Sequence, residues 1–136
     1  MTHDPRSNPA RPSGAVLTLE NTTVDMTVTE LEGPVTCVRL SGRLDAPGAD
    51  AIGIRFTATL APPGRPALVD LSAVSFVASM GLRLLISTAR SLAQKGGQLV
   101  LFGANELVQG VFDDAALDQI LTIVPDEATA LAVVGG

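Results

Sequence analysis

The chain has 136 residues, 46% of them apolar, and a formal charge of −5, which suits one domain with its own core. Only 3% are aromatic, with no Trp or Tyr, so the core is aliphatic and the stacking platforms of single-strand nucleic-acid binders are missing. Together with the negative charge, this excludes a nucleic-acid partner.

Residues 1–14 carry Pro5, Pro9 and Pro12 among polar residues, with Arg6 and Arg11, the composition of a disordered leader. A single domain is expected over residues 15–136. No apolar run is long enough to span a bilayer, and the start of the chain lacks the apolar core of a signal peptide. A cytoplasmic location with no membrane partner is therefore expected. Residues 16–19 suit a short edge strand. In residues 24–31, Val24, Met26 and Val28 alternate with Asp25, Thr27 and Thr29, the period of a half-buried strand. Glu32, Gly33 and Pro34 make a turn, and residues 35–40 return as the second arm of a hairpin.

Residues 41–45 leave the sheet, and Pro47 suits the first turn of a helix reaching about Leu60. Asp45 is placed to cap that helix. Ile52, Phe56 and Leu60 fall on one side of it, while Gly53 weakens it. The apolar run 67–71 predicts a strand covered on both faces. After a short turn, Ser79 stands before an apolar pattern at helical spacing, where its hydroxyl would cap free backbone N–H groups. This second helix runs to about Lys95 and is closed by Gly96 and Gly97. Residues 98–102 predict a further strand, 105–112 a third helix and 120–124 a last short strand. A final helix opens at residues 125–127 and runs to Val134. The order predicts an α/β fold: a mixed sheet of four to five strands with an N-terminal antiparallel hairpin, and about four helices.

Projected at about 100° per residue, the second helix puts Leu82, Leu85, Ile86, Ala89, Leu92 and Ala93 on its core side. Met80 and Leu84 fall on the opposite side, as an apolar ridge facing solvent or a partner. Arg83 sits one turn after Ser79, within side-chain reach. Gly81 has two readings: it permits close approach of a neighbouring backbone, or it only relieves crowding at the helix start.

Three segments resemble the STAS domain, specifically the stand-alone anti-sigma-factor antagonists of bacteria. They are Arg39-Leu40-Ser41-Gly42-Arg43-Leu44-Asp45, the junction from Asp70 through Ser79-Met80-Gly81 to Leu82, and the segment from Val111 to Ile120. The resemblance implies the STAS fold and a partner-switching role that regulates transcription or a stress or signalling output. In that family a serine at the start of the second helix is phosphorylated by an anti-sigma factor that is itself a serine kinase. The unmodified antagonist binds this kinase, the phosphorylated form releases it, and a serine phosphatase resets the cycle. Ser79 matches the phosphorylated serine, and Asp45 matches an acidic residue near the partner surface. ATP and Mg²⁺ are then needed only in the partner kinase, and the antagonist is a monomer or weak dimer without a cofactor of its own. The family's usual Asp-Ser-Ser-Gly is here Ala78-Ser79-Met80-Gly81. Asp45, Ser79, Met80, Gly81, Arg83 and Leu84 are the expected partner-binding residues.

Three other classes compare with this reading. An enzyme needs a nucleophile–base pair or a metal site, but the single histidine, His3, lies in the leader and the single cysteine, Cys37, falls in a strand as a buried thiol. No glycine-rich phosphate loop is present, so neither catalytic nor metal-ligating residues are expected. A phosphoaspartate receiver needs an acidic pair after its first strand and a lysine after a later strand; here the first strand runs into Glu32-Gly33-Pro34 and a hairpin, and the single lysine, Lys95, stands at a helix end. A STAS scaffold or small-ligand-binding module that never switches is the alternative that the loss of the acidic residue before Ser79 supports.

Overall fold

The computed structural model describes residues 16–19, 22–31, 35–62 and 64–135; the leader expected over residues 1–14 lies outside them. Six strands form one sheet in the order β1-β2-β3-β4-β5-β6. They are β1 (Val16–Leu19), β2 (Thr22–Leu31), β3 (Val35–Leu44), β4 (Ala67–Val77), β5 (Leu99–Phe102) and β6 (Thr122–Val124). β2 runs antiparallel to both β1 and β3, and β4, β5 and β6 continue parallel to β3. This is the mixed sheet with an N-terminal hairpin that the sequence implies, with the short strands β1 and β6 as its two edges. The helices are α1 (Ala46–Leu60), α2 (Ser79–Gln94), α3 (Glu106–Asp114) and α4 (Glu127–Gly135), with a single 3-10 turn at Leu117–Gln119.

The central strands are buried on both faces, and their side chains alternate between two cores. Val38, Leu40, Val69, Leu71, Leu99 and Leu101 face the larger core, where Ile52, Phe56 and Leu60 of α1, Leu85 and Leu92 of α2, and Val108 and Phe112 of α3 pack. Cys37, Leu68, Val100 and Phe102 face the smaller core under Ala130 of α4. Burial pushes the Cys37 thiol up to about 11, which leaves about a hundredfold less thiolate at pH 8 than a free cysteine has. Alkylation of the native protein at pH 8 should therefore be slower than that of the urea-unfolded chain by at least that factor. Equal rates, read by mass spectrometry, would contradict the burial.

β3 and β4 are longer than their apolar runs. Each continues past the expected end, and the extensions pair with one another: Ser41 with Ala73, Gly42 with Val74, Arg43 with Phe76 and Leu44 with Val77. The ladder shifts register between Arg39 and Ser41 and again between Gly42 and Arg43. Gly42, at φ +94, supplies the left-handed backbone that a bulge of this kind requires. The short turn expected after residue 71 is therefore strand as far as Val77. Its outward residues Ser72, Ala73 and Ser75 are exposed, which is why the segment lacks the look of a buried strand.

Candidate functional site

The extended ends of β3 and β4 deliver the first turns of α1 and α2 to one place. Asp45 follows β3 directly and is the N-cap of α1: its Oδ1 accepts the Gly48 N–H at 2.9 Å. Its Oδ2 accepts the Arg43 Nε–H at 3.1 Å. The Gly48 N–H first, and the Arg43 guanidinium after it, hold the Asp45 carboxyl below its ordinary value. Arg43 in turn lies 4.6 Å above the Phe76 ring, a cation–π contact between the two strand ends.

At the second junction a single extended residue, Ala78, separates Val77 from α2. Its N–H donates to the Leu44 carbonyl at 3.0 Å, and its own carbonyl accepts the Leu82 N–H at 3.0 Å. Ala78 is thus the N-cap, with no side-chain hydrogen bond to the helix end. The sequence placed Ser79 in that role; the structure places it one residue later, as the first helical residue and exposed. The reason is the length of β4, whose extended backbone persists through Ala78 and leaves Ser79 no non-helical position to occupy. The start of α2 carries neither a capping side chain nor an acidic residue, so its free N–H groups remain electrostatically open to a negative group.

Gly81 resolves in favour of close approach. It is buried, and a Cβ there would run into the Leu44 carbonyl oxygen and stand 2.9 Å from Leu44 Cγ. Leu44 is therefore the pivot of the site. Asp45 follows it, while Ala78 and Gly81 pack directly against it, with Ser79 and Met80 between them.

The helix face differs from its projection. The fully buried positions of α2 are Gly81, Leu85, Thr88 and Leu92. Leu82, Leu84, Ile86 and Ala89 are partly buried against the core, and Ala93 is exposed. Leu84, expected to stand opposite the core beside Met80, instead turns toward α1, 3.7 Å from where a Gly53 Cβ would lie. Gly53 leaves the space it fills, and a projection of one helix cannot show its neighbour. Thr88 was missed because it is polar; its hydroxyl is satisfied by Thr57 of α1 at 3.0 Å, which permits its burial. Met80 stays 41% exposed, and Arg83 is exposed as well.

Two open hollows flank α2. One, of about 540 Å³, lies over Gly53 toward α1 and is lined by Ala49, Asp50, Ile54, Thr57, Ala58 and Leu84. The other, of about 510 Å³, runs down from Ser79 between Leu82, Arg83, Ile86, Ser87 and Arg90. Of the six expected partner-binding residues, Ser79 and Arg83 line this second groove, Met80 is exposed next to Ser79, Gly81 is buried against Leu44, Asp45 caps α1, and Leu84 lines the hollow on the other flank. Among the described residues, no cluster of three or more His, Cys, Asp or Glu side chains is arranged to hold a metal ion. No helix among them is long and apolar enough to cross a membrane.

The family model of the STAS domain matches residues 25–130, which takes in the hairpin, both strand ends and all four helix starts. The chain belongs to the STAS domain family. Among its relatives, an anti-sigma-B factor antagonist of Listeria monocytogenes is 29% identical over 84 residues, 62% of this chain and 74% of the relative. An anti-sigma factor antagonist from Mycobacterium paratuberculosis superposes with a TM-score of 0.75 at 26% identity, covering 88% of this chain and 100% of that one. SpoIIAA of Bacillus in its phosphorylated form shares the fold at a TM-score of 0.60 and 20% identity, over 79% of this chain and 98% of its own. In this STAS domain Ala78 and Gly81 pack against Leu44, next to the exposed serine at the head of α2.

Proposed function

We propose that this STAS domain is an anti-sigma-factor antagonist that works by partner switching, with Ser79 as the switch. The unmodified chain binds a serine-kinase anti-sigma factor over the first turn of α2, and phosphorylation of Ser79 releases it. A serine phosphatase restores the binding form. The observation that carries this reading is the position of Ser79: an exposed hydroxyl at the first residue of an uncapped helix, at the head of an apolar groove. The names of the Listeria and Mycobacterium relatives support the class of partner, and the Bacillus structure supports the capacity of this fold to carry a phosphate.

The physics of the switch is local. A phosphate adds about −1.5 to −2 charges at pH 7. At the N-terminus of its own helix that charge is mildly stabilising, by about 0.3–1 kcal/mol, so the fold survives modification. In a packed contact centred on Met80 and the groove it is costly to desolvate. Arg43 and Asp45 pair with each other across the strand end and frame the contact on the β3 side.

Incubation with the cognate kinase and ATP·Mg²⁺ should place one phosphate on Ser79, located by mass spectrometry, and Ser79→Ala should abolish it. Ser79→Glu should weaken kinase binding about tenfold or more, equivalent to about 1.4 kcal/mol, while Ser79→Ala binds as the wild type. If both variants and the wild type bind alike and no phosphate appears, the chain is a non-switching STAS scaffold.

A further inference from the structure

The two flanks of α2 differ in charge, and the difference identifies what the lower groove accepts. Helix α2 contains no Asp or Glu, although the whole chain carries 14 of them against 9 Lys and Arg. Its two basic residues, Arg83 and Arg90, both line the groove that descends from Ser79, with Leu82 and Ile86 forming its apolar floor. The hollow on the other flank holds Asp50 and no basic residue. Among the described residues, Arg39, Arg43 and Arg65 pair with carboxylates, whereas Arg55 on α1 and Arg83 and Arg90 on α2 are in none of these ion pairs. Of these three, Arg83 and Arg90 are exposed and line one side of one helix against an apolar strip.

We propose that this groove is the docking site for an acidic amphipathic helix of the partner protein. Leu82 and Ile86 would receive its apolar edge, and Arg83 and Arg90 would receive two carboxylates. The arginines are seven residues apart, two helical turns or about 10.5 Å along the axis. The matching carboxylates therefore stand seven positions apart on a helix lying alongside α2. Charge complementarity of this sort raises the association rate and sets register more than it adds raw affinity. The inference rests on the switching role of Ser79 for one of its arguments. Ser79 heads the same groove, so a phosphate there repels a partner that brings carboxylates and competes with them for Arg83, one turn away. A partner bringing basic groups would be attracted by the same phosphate and would not be released. A negative partner segment at this position adds repulsion to the desolvation cost and strengthens release on phosphorylation.

The test uses the full chain and three labelled 16-residue helical peptides, followed by fluorescence anisotropy. The first has a Leu ridge flanked by Glu at seven-residue spacing. In the second each Glu is replaced by Lys, and the third has the composition of the first with the ridge scrambled. The Glu peptide should bind at least tenfold more tightly than either of the others, and its affinity should fall as salt is raised from 50 to about 500 mM. Arg83→Glu/Arg90→Glu, at exposed positions where the fold should survive as judged by its thermal transition, should reverse the preference toward the Lys peptide. Equal affinity for the Glu and Lys peptides, or a Glu preference that survives the double reversal, overturns the proposal. So does binding to anionic phosphatidylserine vesicles in place of the Glu peptide, or self-association at this face in sedimentation. No kinase enters this experiment. Its failure alongside successful phosphorylation of Ser79 would remove the acidic helix and leave the switch standing.

Discussion

Gly81→Ala is expected to destabilise the protein by about 3 kcal/mol, whereas Gly110→Ala stabilises it by about 0.5–1 kcal/mol. Both glycines lie inside helices, where alanine is ordinarily favoured by about 1 kcal/mol. At Gly110 of α3 a new methyl group meets no atom within 4 Å and the residue is exposed, so the ordinary gain from a stiffer unfolded chain applies. At Gly81 the methyl meets the Leu44 carbonyl oxygen, which is backbone, with Leu44 Cγ 2.9 Å away and Val77 Cγ1 at 3.2 Å. A backbone obstacle cannot rotate aside. The first turn of α2 must lift from the end of β3, which strains the Ala78–Leu44 hydrogen bond and shifts Ser79 with it. Overpacking of this kind costs about 1–3 kcal/mol and sometimes more, and it falls at the upper end where the obstacle is rigid. Urea midpoints of the two variants against wild type test the pair; a Gly81→Ala midpoint equal to or above that of wild type would refute the close approach. In Gly81→Ala the phosphorylation rate at Ser79 should fall as well, because the hydroxyl moves with the turn.

The contrast shows where sequence reasoning has purchase on this fold. Asp45 was legible as the cap of α1 because capping is a matter of neighbours: a carboxylate three residues before the N–H it accepts, with a proline in the first turn. Asn105 and Asp126 cap α3 and α4 in the same local manner. Ser79 misled by the same logic, since a serine before an apolar helical pattern is a good cap unless the preceding strand holds the chain extended for one residue more. That extension comes from pairing with residues 41–44, some thirty positions earlier, and the exposed Ser72, Ala73 and Ser75 give no hydrophobic sign of it. The choice between the two readings of Gly81 depended on the same distant strand end. For Leu84 the missing information was the gap at Gly53, on a different helix. In each case the element itself was predictable from local pattern, and the detail that defines the site came from a contact remote in sequence.

The polar end of the smaller core extends this point to stability and gives the second large expectation. Asp70 on β4 sits opposite Arg39 on β3 in the ladder, and their side chains form an ion pair that Arg39 continues to Glu127 at the start of α4, 3.2 Å away. The partners of Arg39 lie 31 and 88 residues along the chain, so no local pattern announces them. Asp70 is buried, and its Oδ1 also accepts from the Ser72 N–H at 2.9 Å and the Ser72 hydroxyl at 2.6 Å. Burial alone would push the Asp70 carboxyl up. The two Ser72 hydrogen bonds and the Arg39 guanidinium outweigh it and hold the group below its ordinary value.

Asp70→Asn keeps the shape and an acceptor for the Ser72 N–H while deleting the charge, and it should cost about 2 kcal/mol at pH 7. That figure is smaller than for a fully buried pair, because Arg39 is 39% exposed and water screens its side of the interaction. Because the folded-state value of Asp70 lies below the unfolded one, its contribution is complete above the unfolded value of about 3.9 and is lost as pH falls through the lower folded value. The asparagine variant has no such titration. The gap between wild type and variant in urea midpoint should therefore be full at pH 7, still nearly full at pH 5, and shrink steadily below pH 4. A gap that stays constant into acid would mean that the variant loses packing and not charge. Since Glu127 is the last member of the chain and is more exposed than Asp70, Glu127→Gln should cost about 0.5 kcal/mol. The ordering Asp70 over Glu127 follows from burial: the same guanidinium is worth more to the carboxylate that water reaches less.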